Sequence, residues 1–410
     1  MPNFTLDDSV FEAAARQFPT PFYLYDARGI RETVRKLKAA FAWNPGFLEF
    51  YAVKALPNPH ILSILLEEGC GLDCSSLTEL MLAQRLNTPG ENIMFSANAM
   101  PGEELAFARQ LNARVNLDDL HDVATLAQCG GVPETVSLRV NPGLAIPLTN
   151  DIMGDGKDAK FGMTPAQLRP ALEALQCHGA AGFGLHAMTQ SNALDETYLS
   201  QNAGTLLKLG LELEQQTGMR LSYINLSGGL GIPYYPHQQP MDIARVGEHV
   251  RKVYEQALGR RKDVRVFCEL GRFITGPHGF LVTRVIHRKS TWREYAGLDA
   301  SASNLMRPAM YGAYHHIHIA GKREVPHDQV YDVTGPLCEN NDKFAIQRGL
   351  PQVNIGDLLI IHDTGAHGHA MGYQYNGRLR GAEVLRGEYG SFRLIRRAET
   401  PEDYFSTLVN

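Results

Sequence analysis

After Asp26 the hydrophobic and polar positions fall into a recurring figure. A short apolar or β-branched run is followed by a polar break and then by a longer stretch with apolar residues at helical spacing. The short runs predict strands at FLEFYAVK (47–54), GLDCSS (71–76), NIMFSA (92–97), ARVNLD (113–118), TVSLRVN (135–141), GFGLHAM (182–188), YINLSG (223–228) and VRVFCEL (264–270). Between them HILSILLEEG, LTELMLAQRLN and GEELAFARQLN predict helices. Thr164 with Gln167 three residues on reads as a capping box, and Pro165 sits at the first helical position, where its missing N–H costs nothing. Eight strands alternating with helices over about 250 residues predict a (β/α)8 TIM-like barrel, α/β in class, rather than an open doubly wound sheet. From about Phe280 the texture changes to the closely spaced runs GFLVTRVIHRKS, HHIHIAGK, QVYDVTG and GDLLIIHDTG, parted by Gly, Pro and Asp turns. The expected division is a barrel over 27–275 and a mainly β domain over 276–410, joined by residues 1–26.

Composition narrows what such a chain can do. Its 410 residues suffice for a large α/β domain and a smaller one. A hydrophobic share of 44% with 20% charged residues and a net charge of -5 offers no basic surface for nucleic acid or a membrane. The expected partner is a small molecule or another protein. The N-terminal stretch has acidic residues and no apolar signal core, and no apolar run of about 18 residues occurs, so a cytoplasmic location is expected. Six cysteines are too sparse for a disulfide framework, Cys70 and Cys74 lack a second metal-ligand pair, and no metal site is expected.

The candidate chemistry lies at strand ends. In a barrel of this kind the C-terminal ends of the strands face the substrate. Lys54, Asp73, His186, Gly228 with Gly229, and Glu269 with Arg272 all occupy such ends. A lysine that bonds a carbonyl group must shed its proton, which a partly desolvated barrel mouth encourages. The glycines of SGGLG can bring bare backbone N–H groups against a phosphate. Opposite a pyridine nitrogen, the Glu269 carboxylate would keep that nitrogen protonated and the ring electron-withdrawing. Together these features point to a pyridoxal 5'-phosphate site.

With those residues in place, the chain resembles the fold-type III pyridoxal-phosphate decarboxylases, most closely the diaminopimelate decarboxylases, nearly end to end. The carriers are TPFYLYD (20–26), YAVKAL (51–56), LSGGLGIPY (226–234), ELGRF (269–273), RPAMYGAYHHI (307–317), GPLCENND (335–342) and DTGAHGHAMGYQYNGRLRGAEVL (363–385). The resemblance implies the barrel-plus-β architecture of alanine racemase. It also implies that Lys54 carries the cofactor, that Glu269 pairs with its ring nitrogen, and that Gly228, Gly229, Gly271 and Tyr375 hold its phosphate. Asp73 and His186 complete the expected cofactor set. Arg272, Arg307, Tyr311, Glu339 and again Tyr375 would grip the substrate, an amino acid, and Cys338 would return a proton to the carbon that loses CO2. In the family the Cys-Glu pair reaches across a dimer interface, which implies a homodimer with shared active sites.

Some positions depart from the common pattern. HAMTQSN (186–192) places Met188 where the ring-stacking histidine is usual, leaving open whether His186 or Met188 covers the ring. ELGR replaces Glu-Pro-Gly-Arg, and Ser227 stands for the first of three glycines. These changes are expected to bear on the substrate more than on the reaction. His315, His316, His367 and His369 read as structural rather than as site residues. The leading expectation is conversion of meso-2,6-diaminopimelate to L-lysine and CO2. The alternatives are a decarboxylase of D-lysine, D-ornithine or a carboxylated polyamine, a racemase, and a non-catalytic homologue.

Overall fold

A computed structural model describes residues 6–143 and 158–409 and divides the chain into two compact units. One unit holds Arg31–Ile232 and Pro240–Phe273. The other gathers the chain up to Ile30, Pro233–Gln239 and everything from Ile274 onward.

The first unit is a closed barrel of eight strands. Counting from an earlier strand of the second unit, β1 (Phe22–Asp26), they are β2 (Leu48–Ala52), β3 (Gly71–Cys74), β4 (Ile93–Ser96), β5 (Arg114–Leu117), β6 (Thr135–Arg139), β7 (Gly182–His186), β8 (Arg220–Asn225) and β9 (Arg265–Cys268). All neighbours run parallel, and Leu48 opposite Phe267 closes the ring. Parallel strands covered on both faces read as continuous apolar runs, the pattern seen in the sequence. Phe50, Met94, Tyr223 and Phe267 fill one layer of the interior. Local chemistry starts the helices. Asn58 Oδ1 accepts from the His60 N–H behind Pro59, Asp242 Oδ1 accepts from Ala244, and the Thr164 N–H donates to Gln167 Oε1.

The second unit is built on a nine-stranded sheet. Its remaining strands are β10 (Gly279–Ser290), β11 (Glu294–Leu298), β12 (Ile317–Ile319), β13 (Gln329–Thr334), β14 (Lys343–Leu350), β15 (Leu358–Ile361), β16 (Ala382–Arg386) and β17 (Phe392–Arg396). β1 lies antiparallel to β10 and parallel to β16, so a strand from the start of the chain fills the middle of a sheet otherwise made by its end. Phe11, Phe22, Leu24, Phe280, Val282, Ile360 and Val384 form the core beneath it. Among the described residues no helix is long and apolar enough to cross a membrane.

Candidate active site

The barrel rim collects its chemistry from strand ends. β2 stops at Ala52, and a 3-10 turn over Val53–Ala55 carries Lys54 over the rim. Lys54 is exposed, where a partly desolvated position was expected. Its charge still reaches Asp73 and Glu79. Asp73, at the end of β3, is buried, and its Oδ1 has no hydrogen-bond partner. Burial, joined by the nearby Glu269 charge, pushes the Asp73 carboxyl well up, with Lys54 opposing.

Glu269, just past β9, is the hub. Its Oε2 accepts from His186 Nε2 at 2.9 Å and from Ser227 Oγ at 3.2 Å, and its Oε1 accepts from the Asn225 amide at 2.7 Å. Burial alone would raise this carboxyl, but His186, the Asn225 amide and the Arg139 charge hold it below the usual range. The rim thus sets two buried carboxyls apart, Glu269 toward its ionised form and Asp73 toward its protonated one. Divergence of that kind marks sites that handle protons.

Two glycine positions shape the backbone around this hub. Gly229 has φ +103°, and a Cβ there would come within 2.6 Å of the Tyr198 hydroxyl, so only glycine keeps the loop after β8 pressed close. A Cβ on Gly271 would lie 2.7 Å from that of Ala55, so the loop after β9 packs directly on the turn that carries Lys54. Gly228 lies between Ser227 and Gly229 in the loop after β8. Arg272 opens the short helix Arg272–Thr275 and is 9% exposed.

The departures from the common pattern gather at the same hub. Ser227 holds a left-handed φ of +59°, where glycine is the usual occupant. It is kept there by its N–H on Asn225 Oδ1 at 2.9 Å and by its hydroxyl, which lies 3.3 Å from the Met188 sulfur as well as against Glu269. Leu270, where proline is usual, has an N–H that donates to buried Glu49 Oε1 at 2.6 Å, which proline could not do. Residues 188, 227 and 270 therefore adjoin the Glu269 cluster.

Sequence reasoning passed over Asn225 and Arg139. Arg139 ends β6, contacts Asp118 Oδ1 at 3.4 Å, and lies 4.5 Å from the Phe161 ring centre. The signal was the one that singled out Lys54, a charge closing an apolar strand.

The second unit brings together another set. Arg307 opens the short helix Arg307–Tyr311, is 5% exposed, and donates from Nη1 to the Tyr234 hydroxyl at 2.9 Å and to His315 Nε2 at 3.0 Å. Tyr311 ends that helix and is exposed. Cys338 and Glu339 lie on an exposed turn. The Cys338 N–H donates to Asn376 Oδ1 at 2.8 Å, and the exposed Tyr375 hydroxyl donates to Glu339 Oε1 at 2.6 Å. His369 is buried with Nδ1 3.9 Å from Glu383, in line with a structural role.

The barrel residues fit pyridoxal phosphate. They supply an amine, a buried carboxylate held ionised, unpartnered buried polar atoms on Asp73 and His186, and a glycine loop pressed close to its neighbours. The family described as pyridoxal-dependent decarboxylase, pyridoxal binding domain, matches residues 27–276. The chain is 45% identical to Protein TabA of Pseudomonas amygdali pv. tabaci, covering 94% of this chain and 90% of that one. It is 35% identical to the diaminopimelate decarboxylase of Methanothermobacter thermautotrophicus, covering 95% and 91%. The crystal structure of the M. jannaschii diaminopimelate decarboxylase in complex with L-lysine superposes with a TM-score of 0.90 at 29% identity, over 98% of this chain and 94% of that one. With the eight-stranded barrel and the Glu269 cluster already in view, these likenesses place the chain in the pyridoxal-dependent decarboxylase family, with pyridoxal phosphate as its cofactor.

Proposed function

We propose that the protein removes the carboxylate from one end of meso-2,6-diaminopimelate, yielding L-lysine and CO2. The observation that carries the reaction class is Glu269, buried and held ionised by donors from three directions. A carboxylate there would hold a proton on the pyridine nitrogen of bound cofactor, which suits decarboxylation; a racemase of the alanine type is served by a cation at that place. The substrate rests on likeness to diaminopimelate decarboxylases over nearly the whole chain.

Lys54 would carry the cofactor, and the 227–229 loop with Gly271 and Tyr375 would hold its phosphate. His186 spends its Nε2 on Glu269, so Met188 is the residue we assign to the ring face. Bound pyridoxal phosphate supplies an electron sink for the pair left behind when CO2 departs. Arg307, Arg272, Tyr311 and Glu339 would bind the carboxylate and ammonium at the substrate's far end, with arginine suited to the carboxylate. Cys338 would return one proton to the α-carbon. The exposure of Cys338, Glu339 and Tyr375 supports completion of each site by a second copy of the chain, hence a homodimer.

The test is CO2 release from a panel of diamino acids of both chiralities. Fastest turnover on meso-diaminopimelate with lysine as product is expected, and faster release from D-lysine or D-ornithine would remove the substrate reading.

A further inference from the structure

We propose that His315 and Tyr234 are positioning residues that form a socket around Arg307 and so aim its guanidinium at a substrate carboxylate. The inference deepens the proposed function and rests on Arg307 as the grip on the far carboxylate.

The socket is built from parts that cannot easily shift. Arg307, Tyr234 and His315 are 5%, 6% and 0% exposed. His315 stands two residues before β12, which is laddered to β15, and the His362 N–H donates to the His316 carbonyl at 2.9 Å as the ladder continues. The Arg307 guanidinium lies 4.8 Å from the Tyr234 ring centre, while Tyr234 and His315 meet edge to face with centroids 5.1 Å apart. Ring contact and hydrogen bonds therefore fix both the plane and the rotation of the guanidinium.

The hydrogen bonds also dictate a protonation pattern. Arginine has only N–H donors, so the His315 Nε2 it meets at 3.0 Å must present a lone pair. The ring proton then sits on Nδ1, which donates to the His362 carbonyl at 2.8 Å. One neutral tautomer satisfies both contacts, and protonation at Nε2 would turn it from acceptor into a second donor facing arginine. Both acceptors on Nη1, an imidazole nitrogen and a phenol oxygen, are neutral. Together they hold one end of the guanidinium in a fixed direction.

The test uses the holoenzyme and three variants. In His315→Gln the amide oxygen stands near the place of Nε2 and still accepts from Arg307. In His315→Asn the amide reaches only the Nδ1 place and the contact with arginine is lost. Tyr234→Phe removes the second acceptor and leaves the ring. For His315→Asn, KM for meso-diaminopimelate is expected to rise about tenfold or more, the range for losing a hydrogen bond to a charged group, with kcat within about twofold. D-lysine, which lacks the far carboxylate, should lose nothing in kcat/KM. His315→Gln should restore most of KM, and Tyr234→Phe should fall between. An unchanged KM in His315→Asn, or an equal fall on both substrates with a lowered Tm, would overturn the assignment. A readout without substrate is the 15N resonances of His315 in the wild-type holoenzyme. The Nδ1–H tautomer is expected, and the Nε2–H tautomer would refute the socket whatever the kinetics. A wild type that prefers D-lysine yet shows the Nδ1–H tautomer would refute the substrate reading while leaving the orientation of Arg307 in place.

Discussion

Glu269 and Glu339 are both carboxylates assigned to one reaction, yet they live under opposite conditions. Glu269 is 6% exposed and receives hydrogen bonds from His186, Asn225 and Ser227, each supplied by the end of a barrel strand or the residues just past it. Glu339 is exposed and receives the hydroxyl of Tyr375, itself exposed. The barrel unit thus supplies these three donors to Glu269 itself. Burial makes an uncompensated carboxylate costly, so each donor there is obligatory. In the second unit Arg307 is similarly enclosed, but Cys338, Glu339 and Tyr375 are arranged on a surface, where solvent screens each contact and holds its worth low. A buried carboxylate held by preorganised donors and a carboxylate on an open surface are different solutions, and they fail differently.

The comparison breaks most completely at Lys54. Lys54→Ala is expected to abolish both the visible cofactor band and turnover; a retained band that borohydride bleaches while fixing the cofactor covalently to the chain would show that another lysine holds the cofactor. Next come the two carboxylates. Glu269→Gln should lower kcat by about 10²-fold or more, the scale for removing a buried preorganised charge, while Glu339→Gln should act mainly on KM. Equal kinetic losses from the two would erase the distinction between the buried and the open carboxylate.

Cys338→Ala should slow turnover by about 10²-fold with the cofactor band intact, the range for a missing general acid. If a second copy completes each site, mixing inactive Lys54→Ala and Cys338→Ala subunits should recover part of the activity. Confirmed mixed dimers without recovery would count against sharing.

The smallest expected effect concerns pH. Burial pushes the Asp363 carboxyl from 3.8 up to about 7, with the Arg307 charge pulling the other way. The folded state therefore holds this proton more tightly than the unfolded chain. Its contribution to stability is present below about pH 4 and is lost as pH rises toward 7. His316 and His318, lowered to about 4 by burial, slope the opposite way and lose their contribution as pH falls from 6.5 toward 4. Asp363→Asn should raise Tm near pH 7 relative to wild type and remove the downward part of the slope. Thermal melts with parallel pH profiles in both proteins would contradict the sign.

Much of the fold was legible because its signals are local. The eight barrel strands were marked by apolar runs, and one helix start by Thr164 and Pro165. The second unit was read less completely. β14 and β17 carry Lys343, Gln347, Arg348, Arg393 and Arg396 among their apolar residues, so alternation is blurred where a strand has an exposed face. β1 could be read as a strand, yet nothing local shows that FYLYD pairs with residues some 260 positions later.

From its own order of residues the chain determined the alternation that closes a barrel and the placing of Lys54, Asp73, His186 and Glu269 at or just past strand ends, since backbone geometry turns short-range periodicity into elements. Which groups meet was decided only by tertiary structure. His186, Asn225 and Ser227 reach Glu269 across 83, 44 and 42 residues, and Tyr234 reaches Arg307 across 73. The physical reason is that a hydrogen bond depends on distance and direction to within a fraction of an ångström. Barrel closure and strand register set those, and no local pattern of residues encodes them.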